Sequence, residues 1–127
     1  ICPMICYDLR FPVWSKNTYN ENNTFEYDLA IYVANWPAIR SYPWKTLLRA
    51  RAIENQSYVI GVNRVGTDGQ GNRYSGDSAV INPKGMLLKQ GSPDKDEPLS
   101  ATLSLDDLVN FRNQFNVGPD WDSFSIM

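Results

Sequence analysis

Cys6 is the residue of this chain best suited to covalent chemistry. It stands in Ile1-Cys-Pro-Met-Ile-Cys-Tyr-Asp-Leu-Arg-Phe-Pro12, where a short apolar run gives way to a polar, turn-prone stretch. A thiol at the exposed end of a buried strand is placed where a nucleophile meets its substrate. The plain alternative is a small buried hydrophobe. The attacking species is the thiolate, and an ordinary thiol with a pKa near roughly 8.5 is only slightly ionised at neutral pH, so a nucleophile here needs help from its surroundings. The Tyr7 backbone N–H follows directly and is positioned to hold a developing oxyanion; loss of one such donor costs about 2.7–4 kcal/mol where it has been removed. Arg10 offers a bidentate guanidinium for a substrate carboxylate, with an ion pair to Asp8 as its structural alternative. Asn35 and Trp36 follow a second apolar run, at the strand end where α/β folds place ligands. Trp36 is read either as an apolar pocket wall or as core, and the backbone beside it as a means of orienting an amide. Arg64 is a weaker candidate, which serves equally well to anchor its own loop.

The bulk composition removes several chemistries. The sequence contains no histidine, which excludes Ser-His-Asp and Cys-His catalysis and His-liganded zinc within this chain. Cys2 and Cys6 cannot complete a four-ligand metal site, and no metal or organic cofactor is expected. On a strand rising about 3.3 Å per residue the two thiols stand roughly 13 Å apart. A disulfide needs Cα atoms within about 7 Å, so free thiols and a reducing, cytoplasmic setting are expected. Twelve Lys+Arg against 14 Asp+Glu give a net charge of −2, with no basic cluster to attract nucleic acid or an anionic membrane. No apolar run approaches the roughly 18–20 residues of a membrane span. The 127 residues amount to one domain or a piece of a larger one.

The elements that must position these residues follow from pattern. Ile1 to Cys6 reads as a buried strand, and Pro12 as the first turn of a short helix through Ser15. Asn17 to Thr24 is a polar surface loop. Tyr27 to Ala34 is nearly continuous apolar sequence, as in a strand covered on both faces. Pro43 to Gln56 is the strongest helix, with Trp44, Leu47, Leu48, Ala52 and Ile53 on one face and Ser41 as a candidate cap. Trp14 and Trp44 read as packing, and Arg49, Arg51 and Glu54 as helix-face ion pairs. Tyr58 to Val65 is a strand, Gly66 to Gly76 a loop or long hairpin tip, and Ser78 to Asn82 another strand. Asn82-Pro-Lys-Gly85 is a tight turn, after which Met86 to Lys89 returns. Ser100 to Leu105 alternates like a half-buried strand. Asp106 to Phe115 is a helix with acidic residues at its start. The apolar tail from Asn116 is expected to pack on something, a partner subunit being one candidate.

At Ile5-Cys-Tyr-Asp-Leu-Arg-Phe-Pro12 the chain resembles the nitrilase (carbon–nitrogen hydrolase) superfamily. The resemblance continues at Tyr27-Asp-Leu-Ala-Ile-Tyr-Val-Ala-Asn-Trp-Pro37, Arg51-Ala-Ile-Glu-Asn-Gln56, Asn63-Arg-Val-Gly66, Gly76-Asp-Ser78 and Asn82-Pro-Lys-Gly85. Ala-Asn-Trp-Pro and Asn-Arg-Val-Gly are most similar to the bacterial omega-amidase branch. The resemblance implies an α/β (α+β) fold, the C-terminal part of a four-layer α-β-β-α sandwich, with residues 1–127 covering about half of one domain and leaving its N-terminal half unrepresented. It also implies Cys6 as nucleophile on a tight elbow, forming a thioester acyl-enzyme from the terminal amide of a 2-oxo acid. The family's general-base Glu, its Lys and a second Glu precede this motif and have no counterpart here; Glu54 matches a structural position. The resemblance further implies homo-oligomers and near-inactivity of this stretch in isolation. Two alternatives remain: an amidohydrolase for carbamoyl or aliphatic amides, and an inactive nitrilase-like binding or assembly module.

Overall fold

The computed structural model describes residues 1–127. Its centre is three parallel strands, β1 (Cys2–Ile5), β2 (Leu29–Ala34) and β3 (Tyr58–Asn63), paired side by side in that order. β4 (Val65–Thr67) and β5 (Arg73–Ser75) form a separate hairpin. β6 (Ala79–Ile81) and β7 (Leu87–Gln90) extend the main sheet antiparallel, giving the order β1-β2-β3-β6-β7. α1 (Ser41–Asn55) makes the crossover between β2 and β3 that parallel pairing requires, and α2 (Leu105–Gln114) follows the strands. The fold is mixed α/β, as expected; a helix layer lies on one face of a twisted sheet.

α1 packs on that sheet through Trp44, Leu48 and Ala52, all fully buried, against Ala30, Tyr32, Val59 and Ile81. The approach is close at Gly61, where an added Cβ would lie 2.5 Å from Leu48 Cδ1 and 2.8 Å from Trp44 Cζ2. Only glycine permits this contact. The expected apolar face is wrong at one position: Ile53 is 54% exposed, and Arg51 and Asn55 point inward instead. The helix's last turn faces polar backbone, so Asn55 Oδ1 accepts from the Asn17 N–H at 2.8 Å and Asn17 Nδ2 donates to Tyr27 O at 2.9 Å. Gln56 then ends the helix in the left-handed region at φ 45°, with its N–H returned to the last turn. Ser41 does not cap α1; it is the first helical residue, and its hydroxyl donates to Asp77 Oδ2 at 2.8 Å.

Other expectations need correcting. β1 is an edge strand whose alternate residues are exposed, so Ile1 to Cys6 is not buried throughout. β2 buries Ala30, Tyr32 and Ala34 on the α1 side, while Val33 on the other face is 55% exposed; the strand is not covered on both faces. The helix expected from Pro12 is replaced by turns, and the 3-10 helix lies earlier, at Cys6–Arg10. Trp14, read as packing, is exposed. Ser100 to Ser104 forms no strand, because no neighbouring strand pairs with it. α2 begins as expected on acidic residues, with Ser104 Oγ accepting from the Asp107 N–H at 3.1 Å. Arg112, buried on α2, ties it down by donating to Gln56 O at 3.0 Å, Tyr27 O at 3.0 Å and Asp28 Oδ1 at 2.5 Å. The tail packs on this chain through Trp121, which meets Phe25 edge-on at 5.6 Å and lies under Lys16 Nζ; Phe124, Ile126 and Met127 remain exposed.

Candidate active site

β1, β2 and β3 end together, with Ile5 opposite Val33 and Ala34 opposite Asn63. The residues that follow these strand ends, Cys6, Asn35-Trp36 and Arg64, therefore meet along one edge of the parallel sheet. This is where ligands bind in open α/β sheets.

Cys6 changes the chain from strand to 3-10 helix at a single residue, and its φ is 37°. A non-glycine residue in the left-handed region costs about 1–2 kcal/mol and persists only where its surroundings enforce it. Three contacts do so. Leu9, three residues on, is completely buried. Arg51 Nη2 reaches from α1 to donate to Leu9 O at 2.6 Å, while Arg51 Nη1 donates to Glu54 Oε1 at 2.9 Å. Asp8 Oδ2 accepts from the Ile5 N–H at 2.9 Å. The Arg51–Glu54 ion pair expected from spacing is therefore present, and Arg51 is in addition a buried tether for the turn. Glu54 is its partner, a structural use.

The Cys6 sulfur is half-buried and donates to Asn35 O at 3.8 Å, so two of the candidate residues are in contact. Arg10 makes no ion pair with Asp8; its guanidinium lies 4.7 Å from the Trp36 ring centroid, over the indole face. The other side of Trp36 is core: the ring is 4% exposed, packs on Trp44 at 5.5 Å and donates through Nε1 to Arg40 O at 2.7 Å. Tyr7 projects its ring outward against Phe11 at 5.1 Å, which leaves its backbone as the part facing the turn. Arg64 stacks on Tyr74 at 4.8 Å, on the β4–β5 hairpin, which favours the loop-anchoring role.

Two residues that spacing did not single out brace the elements around these strand ends. Asn63, at the end of β3, binds the backbone of Trp36 on both sides: its Oδ1 accepts from the Trp36 N–H at 2.7 Å, and its Nδ2 donates to Trp36 O at 3.0 Å. Asp77, at φ 58° in the Gly-Asp-Ser segment, is buried among Lys45 Nζ at 2.7 Å, Ser75 Oγ at 2.7 Å and Ser41 Oγ at 2.8 Å. Burial pushes its carboxyl up, but those three donors outweigh burial and hold its pKa below the usual carboxylate range. The signals were an Asn ending one strand beside an Asn-Trp ending its neighbour, and an Asp after a glycine.

The two thiols are free and unlike. Burial, with Glu26 nearby acting the same way, raises the Cys2 thiol above its ordinary value and makes it a poorer nucleophile. No cluster of three or more His, Cys, Asp or Glu side chains is placed to hold a metal. No helix is long and apolar enough to cross a membrane.

Comparison with known proteins accounts for this arrangement. The carbon-nitrogen hydrolase family profile matches residues 1–113. Over 126 residues the chain is 51% identical to the omega-amidase YafV of Escherichia coli, covering 99% of this chain and 47% of that protein. It is 42% identical over 113 residues to a 2-oxoglutaramate amidase of Paenarthrobacter nicotinovorans, covering 88% of this chain and 36% of that protein. The chain therefore spans about half the length of the curated relatives it matches. Among solved structures, XC1258 of Xanthomonas campestris, a CN-hydrolase superfamily protein with an arsenic adduct in its active site, superposes with a TM-score of 0.95 at 44% identity. That match covers 98% of this chain and 48% of the Xanthomonas protein. The profile match over most of the chain, the identity to these relatives and the superposition agree: the chain belongs to the carbon-nitrogen hydrolases.

Proposed function

We propose that this chain carries the nucleophile of an amidase that cleaves the terminal carbon–nitrogen bond of a small carboxylated amide, such as the omega-amide of a 2-oxo acid. The observation that carries the proposal is Cys6, held in the left-handed region at the C-terminal end of β1 with its sulfur half-buried beside Asn35. The named activities of the relatives from Escherichia coli and Paenarthrobacter nicotinovorans support the substrate class.

In this reading Cys6 Sγ, as thiolate, attacks the amide carbonyl carbon, and the carbonyl π electrons move onto oxygen. The Tyr7 N–H receives that oxyanion. Collapse breaks the C–N bond, nitrogen takes a proton from the conjugate acid of the base, and ammonia leaves. Water then gives a proton to the same base, attacks the thioester and releases the carboxylic acid, restoring the thiol. Arg10 pairs with the substrate carboxylate from its place on Trp36. We assign the base, a carboxylate, and a lysine that shares the oxyanion to sequence beyond these 127 residues, and expect this stretch alone to be nearly inactive. The working protein is proposed to be a homo-oligomer in a reducing compartment.

The stacking of Arg10 on Trp36 also favours a second reading. If Arg10 is occupied structurally, the site takes a carbamoyl or aliphatic amide without a carboxylate. Rates of the complete natural protein on 2-oxoglutaramate, a carbamoylated amine and an aliphatic amide separate the two. Preference for 2-oxoglutaramate, lost in Cys6→Ala and weakened chiefly in KM by Arg10→Met, supports the proposal. Preference for the uncharged amides, or turnover that survives Cys6→Ala, contradicts it.

A further inference from the structure

We propose that Asn63 is a positioning residue for the Cys6 nucleophile, acting through the main chain of Asn35 and Trp36; this rests on the amidase reading above.

Asn35 lies one residue past the end of β2, beyond the ladder that holds Ala34. Its carbonyl oxygen is the group that accepts from Cys6 Sγ. A carbonyl in a free loop end would wander, so something must fix the peptide planes on either side. On the β2 side, the Arg64 N–H donates to Ala34 O at 3.1 Å, continuing the ladder by one bond. On the other side the ladder has run out, and the Asn63 side-chain amide takes its place. Its oxygen accepts the Trp36 N–H and its nitrogen donates to Trp36 O, two bonds that a further strand residue would have made. The same nitrogen donates to Gly76 O at 2.7 Å, and the Asn63 N–H donates to Ser78 Oγ at 2.9 Å, which locks the amide itself.

The Trp36 N–H belongs to the same peptide unit as Asn35 O. Gripping that N–H at 2.7 Å therefore fixes the direction of the carbonyl that meets the sulfur. No other side chain of the length and polarity of asparagine offers an acceptor and a donor at this reach; Asp has no donor and Ala has neither. The carbonyl holds the sulfur in one orientation as an S–H donor. Its oxygen also stands against the sulfur and narrows the directions from which an indiscriminate reagent can approach. Release of the carbonyl should thus speed simple alkylation of Cys6 while slowing aligned attack on an amide.

The test maps iodoacetamide alkylation of Cys6 and Cys2 by peptide mass spectrometry in the complete natural protein, with Asn63→Ala and the near-isosteric Asn63→Asp. Cys2 opens the strand that ends just before Cys6 and serves as internal reference, since general loosening accelerates both thiols. The expected result is alkylation of Cys6 faster by about fivefold or more with Cys2 changed by less than about twofold. Turnover of 2-oxoglutaramate per titrated Cys6 should fall by about 10- to 100-fold, with KM changed by less than about threefold. Asn63→Asp, which keeps the acceptor for the Trp36 N–H, should recover part of both effects. Unchanged Cys6 alkylation, acceleration of both thiols together, or loss of cooperative melting in both variants would overturn the proposal. If the wild-type protein turns over no omega-amide, the amidase reading fails while the ratio of the two thiols still decides the role of Asn63.

Discussion

Arg51 of α1 donates through Nη2 to the carbonyl of Leu9 at 2.6 Å, so the crossover helix holds the turn that presents Cys6. The guanidinium is buried, and Glu54 beside it supplies the balancing charge at 2.9 Å. A buried cation with both partners is a tether; Glu54, with a side chain 37% exposed, keeps contact with water.

Arg51→Met is therefore expected to destabilise the fold by about 1–3 kcal/mol, because it leaves the Leu9 carbonyl without its donor. The double variant Arg51→Met/Glu54→Leu should recover little of that loss, since Glu54 is part-exposed. Urea melts check both; a single variant as stable as the parent would remove the tether from the account.

Strain at Cys6 makes a second prediction. Cys6→Gly relieves a left-handed backbone that Cys6→Ala retains, so the glycine variant should be the more stable of the two by about 1 kcal/mol. Both should lack turnover. Equal melting temperatures for the two variants would show that the turn carries no such strain.

Gly61 tests the packing that supports the site. Gly61→Ala places a methyl group against Leu48 and Trp44 and is expected to cost about 1–3 kcal/mol. Thermal denaturation reads the loss, and a neutral substitution would mean that α1 stands off the sheet.

Asp77 supplies a pH dependence with a definite sign. Its folded-state pKa lies below the unfolded value, so its contribution is fully present above the unfolded carboxylate pKa and is lost as pH falls through the folded one. Stability of the parent should therefore fall toward acid more steeply than that of Asp77→Asn, whose side chain tolerates the left-handed backbone. Parallel acid profiles for the two proteins would contradict the assignment.

The candidate site residues were easier to read than those that hold them. Cys6 and Asn35 lie just past strand ends, and an apolar run followed by polar or turn residues marks a strand end in any sequence. The α1 stripe was legible through Trp44, Leu48 and Ala52, because a 3.6-residue period records what a helix buries. It failed at Ile53 because Arg51 and Asn55 bury polar groups against backbone carbonyls and amides, and periodicity counts only apolar side chains. Ser100 to Leu105 alternates like a strand, yet alternation cannot say whether a neighbour exists to pair with it, and Leu105 begins α2 instead. Asn63 escaped notice for a related reason: its role lies in bonds to the backbone of a residue 27 positions away, and spacing carries no trace of them.

The central claim is that Cys6 becomes acylated by the substrate. Acid-quenched intact-mass spectrometry of the complete protein during turnover of 2-oxoglutaramate tests this most directly. The account predicts a mass gain equal to the 2-oxoglutaryl group in place of the thiol hydrogen, mapped to the Cys6 peptide and absent from Cys6→Ala. Steady turnover with no adduct on Cys6, or turnover that persists in Cys6→Ala, would contradict it.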